Sequence, residues 1–364
     1  MLCIFAFVVF LILFPILGFF PSYRRLFRRS WQCVFNRVTF RPCDINLGEE
    51  LKAAFLGSFI FKYPRLAKFL DKTFTFWAFL FVVINVWSLV VVINSGVNLL
   101  VYDTCDPVSG EACSLSGEAC GIAANTLDFS TAWNQNRVAE WAAQPFTQFG
   151  DTVSKIPNRF KTWNAEDYQS QTATYYEGKR TNKPLALEVI DPSCVSCKKL
   201  FANLKSANFK DKYDITYIAY PIPSSTSGTG YKFPYSYMIA GYLEAMKTIQ
   251  PQQVKNSTQP TDWQLLEIIW TRSGNTTQTL QDDFNYAFTK AQAEQKLEDL
   301  LIEIGYSKQQ VSEIKNKATT DEIQTILKNN RATVEQKIQT IKIPTFMYGG
   351  RRYDRVVDVD YLQK

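Results

Sequence analysis

The chain has 364 residues, 46% of them hydrophobic, which is enough to bury one large domain or two modest ones and excludes a disordered protein. Its net charge of +6 is unevenly distributed, because residues 1–102 hold eleven Lys and Arg against four Asp and Glu, and the rest holds 29 against 30. A nucleic-acid-binding protein would carry its basic residues over a folded face. The distribution therefore indicates membrane topology and argues against a nucleic-acid partner.

Residues 1–20, MLCIFAFVVFLILFPILGFF, contain no charge and are long enough to cross a bilayer as a helix of about 20 residues. A cleavable signal peptide is the alternative, and it would normally have basic residues before the apolar stretch and a small-residue cleavage site after it. Here Arg24, Arg25, Arg28 and Arg29 follow the apolar stretch instead. The flanks therefore predict a retained membrane anchor.

Residues 73–102 also lack charge and predict a second span at about 76–98. Asn85, Asn94 and Asn98 recur on about one helical face, which indicates either packing against a partner helix or polar positions near the helix end. All eleven basic residues lie between the two spans, so the positive-inside rule assigns residues 21–72 to the cytoplasm. We therefore expect a membrane hairpin over 1–102, with everything after residue 103 extracytoplasmic or periplasmic.

Residues 103–169 predict an extracytoplasmic loop and spacer. The pentapeptide SGEAC occurs twice, at 109–113 and 116–120, in a Gly- and Ser-rich stretch that is typical of a loop. Cys105, Cys113 and Cys120 are three thiols in an oxidising compartment, so at least one has no partner within the loop. We expect a local disulfide and one free thiol; exchange with a distant cysteine pair is the alternative.

Residues 170–364 contain an α/β pattern. The buried-strand candidate LALEVI is followed by DPSCVSCKK, in which Cys194 and Cys197 lie at the start of a predicted helix, and then by the strand YDITYIAYPI. Late in the chain, KIPTFMYGGRRYDRVV predicts two strands joined by a Gly-Gly turn. Between them, amphipathic segments such as DDFNYAFTKAQAEQKLEDLLIEIG, with Gly305 as a stop, predict a helical insertion at about 233–335.

Three kinds of site are consistent with the spacing of Cys194 and Cys197. A zinc site needs two further ligands, and the chain has no His and no second CxxC motif, so no metal is expected. A structural disulfide at this spacing closes a very small loop and would stabilise the fold little. A reactive dithiol is the interpretation that the chemistry favours.

In a reactive dithiol the two cysteines have different roles. The helix dipole and unpaired N–H groups favour a thiolate at Cys194, which makes it the attacking sulfur, while Cys197 lies one turn along and can release the captured protein. Glu188, six residues before Cys194, is predicted to be partly buried beneath the pair with a raised pKa, and could exchange a proton with Cys197. The alternative is a Glu188 side chain that points to solvent from an edge strand.

The strand followed by DPSCVSC, the Glu six positions before the first Cys, and the late IPTF segment resemble the thioredoxin superfamily. Over residues 170–364, the helical insertion and IPTFMYGGRRY are most similar to DsbA-type thiol-disulfide oxidoreductases. The resemblance implies a thioredoxin fold with an inserted α-helical subdomain, and a cis Pro344 that faces the cysteines. It also implies that Ile343 offers backbone hydrogen bonds to a substrate strand, and that Val195, Ser196 and Thr345 complete the substrate-binding residues.

The chain departs from that family at Val195-Ser196, where Pro or Gly followed by His, Pro or Tyr is more usual. Because the intervening residues tune thiolate stability, the direction of electron flow is left open. We therefore predict a membrane-anchored thiol-disulfide oxidoreductase that needs no cofactor and acts on cysteine-containing secreted or envelope proteins. The alternatives are a reductase supplied with electrons by a membrane partner and a non-catalytic thioredoxin-fold scaffold.

Overall fold

The computed structural model describes residues 64–102, 118–122, 127, 129–224, 230–249, 251, 258–275 and 278–363. The chain divides into two compact units, one of residues 1–96 with 145–149 and one of residues 97–144 with 150–364. Helix α1 (Pro64–Tyr102) provides the described part of the first unit before residue 97. The strands and the cysteine site described below belong to the second unit.

Of the two predicted membrane spans, only the second falls within the residues that the structure describes. Across the residues that the structure describes, no helix combines the length and the apolarity that a bilayer crossing requires. The predicted span at 76–98, which falls within α1, therefore lacks structural support. The predicted span at 1–20 and most of the predicted loop at 21–72 lie outside the described residues.

The last turns of α1 hold a buried polar contact. Asn98 is buried, and its Oδ1 accepts a hydrogen bond of 2.8 Å from the hydroxyl of Thr152. Three helices, of which the second carries Thr152, follow in the spacer: α2 (Phe129–Asn134), α3 (Val138–Ser154) and α4 (Ile156–Phe160). Asn98 therefore contacts a neighbouring helix, and it also lies one turn before the end of α1, so both interpretations describe its position.

The second unit contains a four-stranded mixed sheet. In chain order its strands are β2 (Leu185–Ile190), β3 (Asp214–Ala219), β5 (Thr345–Tyr348) and β6 (Arg351–Tyr353). Their order in space is β3-β2-β5-β6, with β2 parallel to β3 and antiparallel to β5, and β5 antiparallel to β6. Two short strands, β1 (Cys120–Gly121) and β4 (Lys342–Ile343), form a separate antiparallel pair.

Strand β2 is central, and all six of its residues are buried, because both faces of the sheet are covered. Helix α5 (Val195–Ser206) connects it to β3, and Leu200 and Leu204 on the apolar face of this helix are buried in the core. Gly349 and Gly350, both with positive φ, form the turn between β5 and β6. This topology is that of a thioredoxin-like fold, so the predicted α/β class is confirmed.

Helices fill the chain between β3 and β4. Helix α6 (Ser236–Met246) is almost entirely buried and packs against α7 (Thr261–Thr271), α9 (Lys308–Lys317) and α10 (Asp321–Ala332). Helix α8 (Lys290–Ile304) packs against α7 and α9. The predicted stop at Gly305 is confirmed, since Gly305 adopts φ +125° at the end of α8. The single helix predicted from Asp282 to Gly305 is wrong, because Thr289 and Gln292 form a capping box that starts α8 anew.

Candidate redox site

Cys194 is the N-cap residue of α5 and directly follows the loop that ends β2. Its carbonyl accepts the first helical hydrogen bonds, from the N–H groups of Cys197 at 3.1 Å and Lys198 at 3.3 Å. The first turn of α5 contains no acidic residue. The positive end of the helix dipole is therefore not offset by acidic residues in that turn, an environment that favours a thiolate at Cys194 whenever it is not in a disulfide.

In the structure Cys194 forms a disulfide with Cys120 and not with Cys197. Cys120 lies 74 residues earlier, in the second copy of the SGEAC repeat. For Cys120, the expected local disulfide is therefore wrong, and pairing with the distant cysteine motif is what the structure contains. Cys105 and Cys113 lie outside the described residues.

The late proline loop lies directly against this disulfide. The Ile343–Pro344 peptide bond is cis, as the resemblance implied. Ile343 pairs with Cys120 in the antiparallel β1–β4 ladder, and Cys194 Sγ lies 3.8 Å from the Ile343 carbonyl oxygen. The backbone before Pro344 thus pairs with the strand that carries the cysteine bound to Cys194.

Thr345 was expected to line a substrate groove, but its side chain lies inside the domain. It is fully buried, and its Oγ1 lies 2.7 Å from Thr340 Oγ1, 2.8 Å from the Lys342 carbonyl oxygen and 2.9 Å from Asp354 Oδ1. The Thr345 side chain therefore supports the proline loop from within.

Cys197 is a free thiol that is completely buried. Its pKa is raised well above the ordinary value, first by burial and then by the nearby negative charges of Glu188 and Asp191. A protonated thiol is therefore the resting form of Cys197. To act as a nucleophile, it must lose its proton to a neighbouring group.

Glu188 lies in the middle of β2 and is fully buried. Neither carboxylate oxygen has a hydrogen-bond partner among the described residues, and burial raises the pKa of this carboxyl well above its ordinary value. The alternative in which Glu188 points to solvent is therefore wrong. A buried carboxyl with a raised pKa can give a proton to a nearby thiolate in its neutral form and take one from the thiol in its ionised form.

Asp191 anchors the loop between β2 and the cysteines. Its carboxylate accepts hydrogen bonds from the Ser193 N–H at 2.8 Å, the Ile222 N–H at 2.7 Å and the Ser236 hydroxyl at 2.7 Å. Burial raises the pKa of Asp191 to about 6, although these three donors oppose the shift. One buried side chain thus connects the cysteine loop, the end of β3 and the first helix of the insertion.

The insertion holds the cysteine loop through donors to its carbonyl groups. Trp270 Nε1 donates to the Pro192 carbonyl at 2.8 Å, and Gln281 Nε2 donates to the carbonyls of Pro192 and Cys194 at 3.1 and 3.2 Å. Asn285 Nδ2 donates to the Ser193 carbonyl at 2.9 Å. These bonds orient the loop and satisfy carbonyl groups that would otherwise be buried without partners.

The two residues between the cysteines differ in exposure. Val195, which follows Cys194 directly, is 42% exposed. Ser196 is buried, and its Oγ lies 3.9 Å from Cys120 Sγ. Over the described ranges, no cluster of His, Cys, Asp and Glu is arranged to hold a metal ion.

Sequence reasoning gave the pairing of a loop cysteine with the distant cysteine motif only as the alternative, and it missed the donors from the insertion. The exact repetition of SGEAC was visible, but it contained no signal for which distant residue the cysteine would meet. Trp270, Gln281 and Asn285 lie 76 to 91 positions beyond Cys194 in the chain, and no local pattern separates them from core residues.

Comparisons with known proteins concern the fold. A scan of family models and a search of curated protein sequences both returned no match. The thiol-disulfide exchange protein alpha-DsbA2 from Wolbachia pipientis is 16% identical, over 53% of this chain and 84% of that chain, with a TM-score of 0.37. The catalytic domain of Proteus mirabilis ScsC is 14% identical over 54% and 88%, with a TM-score of 0.36.

A third solved structure is the thiol-disulfide oxidoreductase MdbA from Corynebacterium matruchotii, 15% identical over 52% of this chain and 90% of that chain, with a TM-score of 0.35. These values are too low to assign an activity. The function is inferred below from the geometry of the site.

Proposed function

We propose that the protein is a thiol-disulfide oxidoreductase in which Cys194 forms a mixed disulfide with a cysteine-containing protein and Cys197 resolves it. One observation carries the proposal: Cys194 is disulfide-bonded to a cysteine on a strand that pairs with Ile343, beside the cis Pro344, while Cys197 remains free. This is the arrangement that a mixed-disulfide intermediate requires.

The exchange needs only the groups at this site. A substrate thiolate attacks Cys194 Sγ of the Cys194–Cys197 disulfide, and the electron pair of the broken bond leaves on Cys197. In the reverse direction the Cys197 thiolate attacks Cys194 Sγ and releases the substrate thiolate. Helix α5 favours negative charge at Cys194, and the neutral Glu188 provides the proton that a departing Cys197 thiolate takes up.

Trapping tests the proposal on the full-length protein. Replacing Cys197 with Ala removes the resolving thiol, and replacing Cys120 with Ala as well frees Cys194 for other partners. The double variant should accumulate adducts on Cys194 that dithiothreitol releases. The matched control Cys120→Ala/Cys194→Ala/Cys197→Ala should form none. A folded double variant that forms no adduct with oxidised glutathione or with cellular proteins would leave only the scaffold alternative.

The direction of electron flow is decided by the reduction potential of the Cys194–Cys197 pair. A value near that of thioredoxin, about −270 mV, would favour a reductase supplied by a membrane donor, and a value near −120 mV would favour an oxidase. Equilibration of the Cys120→Ala variant with glutathione buffers measures this pair without interference from the third cysteine.

We also propose that the domain is extracytoplasmic and anchored through residues 1–20. The uncharged N-terminal segment supports the anchor, and a disulfide within the chain supports the extracytoplasmic location. Because the four arginines after residue 20 keep the segment that follows them cytoplasmic, this topology also requires the second crossing predicted at about 76–98. Alkaline carbonate should leave the protein in the membrane fraction. A membrane-impermeant maleimide should label a cysteine introduced at exposed Ser154 in intact cells, and labelling only after lysis would contradict the proposed topology.

A further inference from the structure

The segment Glu118–Ile122 pairs with the backbone at Ile341–Ile343, where the resemblance to DsbA-type proteins implies that a substrate strand binds. Beyond the ladder pairs of Cys120 with Ile343 and Gly121 with Lys342, the Ile122 N–H donates to the Ile341 carbonyl at 2.8 Å. At the other end of the segment, the Val356 N–H donates to the Glu118 carbonyl at 3.0 Å. The segment is therefore held by main-chain bonds that any extended peptide could make.

Side chains around the cysteine motif also contact this segment. Lys199 Nζ on α5 lies 2.8 Å from Glu118 Oε1, and Lys232 Nζ donates to the Gly121 carbonyl at 3.4 Å. Gly121 is buried in the groove. Side-chain contacts therefore hold the segment at residues on both sides of Cys120.

Docking of this segment closes the site. Cys194 and Cys197 are both fully buried in the structure, although Val195, which follows Cys194 directly, is 42% exposed. A thiol from another protein has no path to Cys194 Sγ while Cys120 is bonded to it and β1 is paired with β4.

We propose that Cys120 is a third redox cysteine of this protein, an intramolecular substrate that exchanges with the Cys194–Cys197 disulfide and closes the site to other protein thiols. This inference rests on the proposed function, because it needs Cys194 and Cys197 to act as an exchanging pair. The segment around Cys120 is the strand that an external substrate has to displace.

The exchange balances without an external oxidant. The Cys120 thiolate attacks Cys194 Sγ, a Cys120–Cys194 bond forms, the Cys194–Cys197 bond breaks, and the electron pair leaves on Cys197, which takes up a proton. The chain holds one disulfide among these three sulfurs before and after the step. Attack of the Cys197 thiolate on Cys194 reverses it and reopens the groove.

Tethering gives Cys120 an advantage over free thiols. A reactive group linked through a short flexible chain acts at an effective concentration of roughly 1 mM. Cys120 is 74 residues from Cys194, but the β1–β4 pairing holds it beside the site, so we take roughly 1 mM as its expected value. An external thiol at about 10 μM would therefore be outcompeted about 100-fold by Cys120. Entry of a protein substrate then depends on release of the segment.

Disulfide mapping of the full-length wild-type protein is the first test. Trypsin with a glutamyl endoprotease separates Cys113, on the peptide 112–118, from Cys120, on the peptide 119–137. After oxidation with one equivalent of oxidant and acid quenching, we expect the 119–137 peptide joined to the peptide that carries Cys194 and Cys197. Recovery of Cys120 only as a free thiol, or joined only to Cys105 or Cys113, would overturn the inference.

A glutathione titration measures the advantage of Cys120. In Cys197→Ala protein, reduced glutathione with a fixed excess of oxidised glutathione should open half of the Cys120–Cys194 disulfide at roughly 1 mM. Cys113→Ala/Cys197→Ala is the matched control, since Cys113 has the same Glu-Ala-Cys context, and it should give the same half-point. Half-opening at or below about 10 μM, about 100-fold lower, would contradict an intramolecular substrate.

Failure of the two proposals can be told apart in the Cys120→Ala variant. If this variant exchanges with glutathione but the wild type never forms the Cys120–Cys194 bond, the inference about Cys120 fails and the oxidoreductase proposal survives. If Cys120→Ala and wild type are both folded by circular dichroism and neither exchanges with glutathione, the proposed function itself fails.

Discussion

Two fully buried glutamates, one beneath the cysteine pair and one in the helical insertion, have opposite surroundings. Glu244 of α6 lies 2.9 Å from Lys247 Nζ and accepts hydrogen bonds from Thr172 and Asn330. Glu188 of β2 is just as deeply buried, yet its carboxylate has no partner within the described residues. A buried glutamate is thus ion-paired in the helical insertion and is a neutral acid in the sheet.

The different surroundings of Glu244 and Glu188 indicate different roles, one in stability and one in proton transfer. A buried carboxylate that is paired and hydrogen-bonded holds helices in register, and removal of one partner leaves an uncompensated charge. A buried carboxyl without partners costs stability, and it is retained where a proton has to move. Each of the following changes tests one side of this comparison.

The largest effect is expected in the insertion. Glu244→Ala leaves Lys247 buried without its carboxylate, so the free energy of unfolding should fall by about 3–5 kcal/mol, as measured by chemical denaturation. The control Glu244→Leu/Lys247→Met removes both charges together and should recover most of this loss. A loss below about 1 kcal/mol in Glu244→Ala would mean that water, and not Lys247, compensates Glu244.

Asp191 should give the fold a pH dependence. Its pKa is raised from 3.8 to about 6, so the folded state binds the proton more tightly than the unfolded state does. The stability that this proton provides is fully present below pH 3.8 and is lost as pH rises through 6. Between pH 4 and 7, denaturation should show a decline in wild type that exceeds the decline in Asp191→Asn by about 2.4 kcal/mol. Parallel pH profiles would contradict the shift.

Glu188 should matter more for rate than for stability. Glu188→Gln keeps the shape of the side chain but cannot exchange a proton, so release of a mixed disulfide by Cys197 at pH 7 should slow by about 10²-fold. Stopped-flow measurement of release over pH 5 to 9 should also show the difference shrinking at high pH, where hydroxide removes the thiol proton. An unchanged rate with an unchanged pH profile would show that water carries the proton.

The smallest effect is expected on the surface of the groove. Lys199 and Glu118 are half-exposed or more, so their ion pair contributes roughly 0–1 kcal/mol. Lys199→Ala should lower the glutathione half-point for the Cys120–Cys194 disulfide by about fivefold at most. The difference should disappear in 0.5 M NaCl, and a salt-independent effect would indicate lost packing of the lysine side chain.

Much of the α/β core was predictable because its signals are local. A short β-branched run before DPSCVSC, a glycine pair in a hairpin and helix caps such as Gly305 each act within a few residues. The boundary at Thr289 was missed for a related reason, since the apolar period continues across it and only the capping box of Thr289 and Gln292 interrupts the helix. Local periodicity identifies elements better than it identifies their ends.

The sequence by itself located the CxxC motif and favoured a dithiol over a metal site there, because a zinc site needs further ligands and the chain has no histidine. Only the tertiary structure decided that Glu188 is buried on a central strand and that Cys120 meets Cys194 across 74 residues. The physical reason is that the apolar pattern of a strand does not determine which other segments pack against its two faces. Pairing between distant segments depends on the packing of the whole domain.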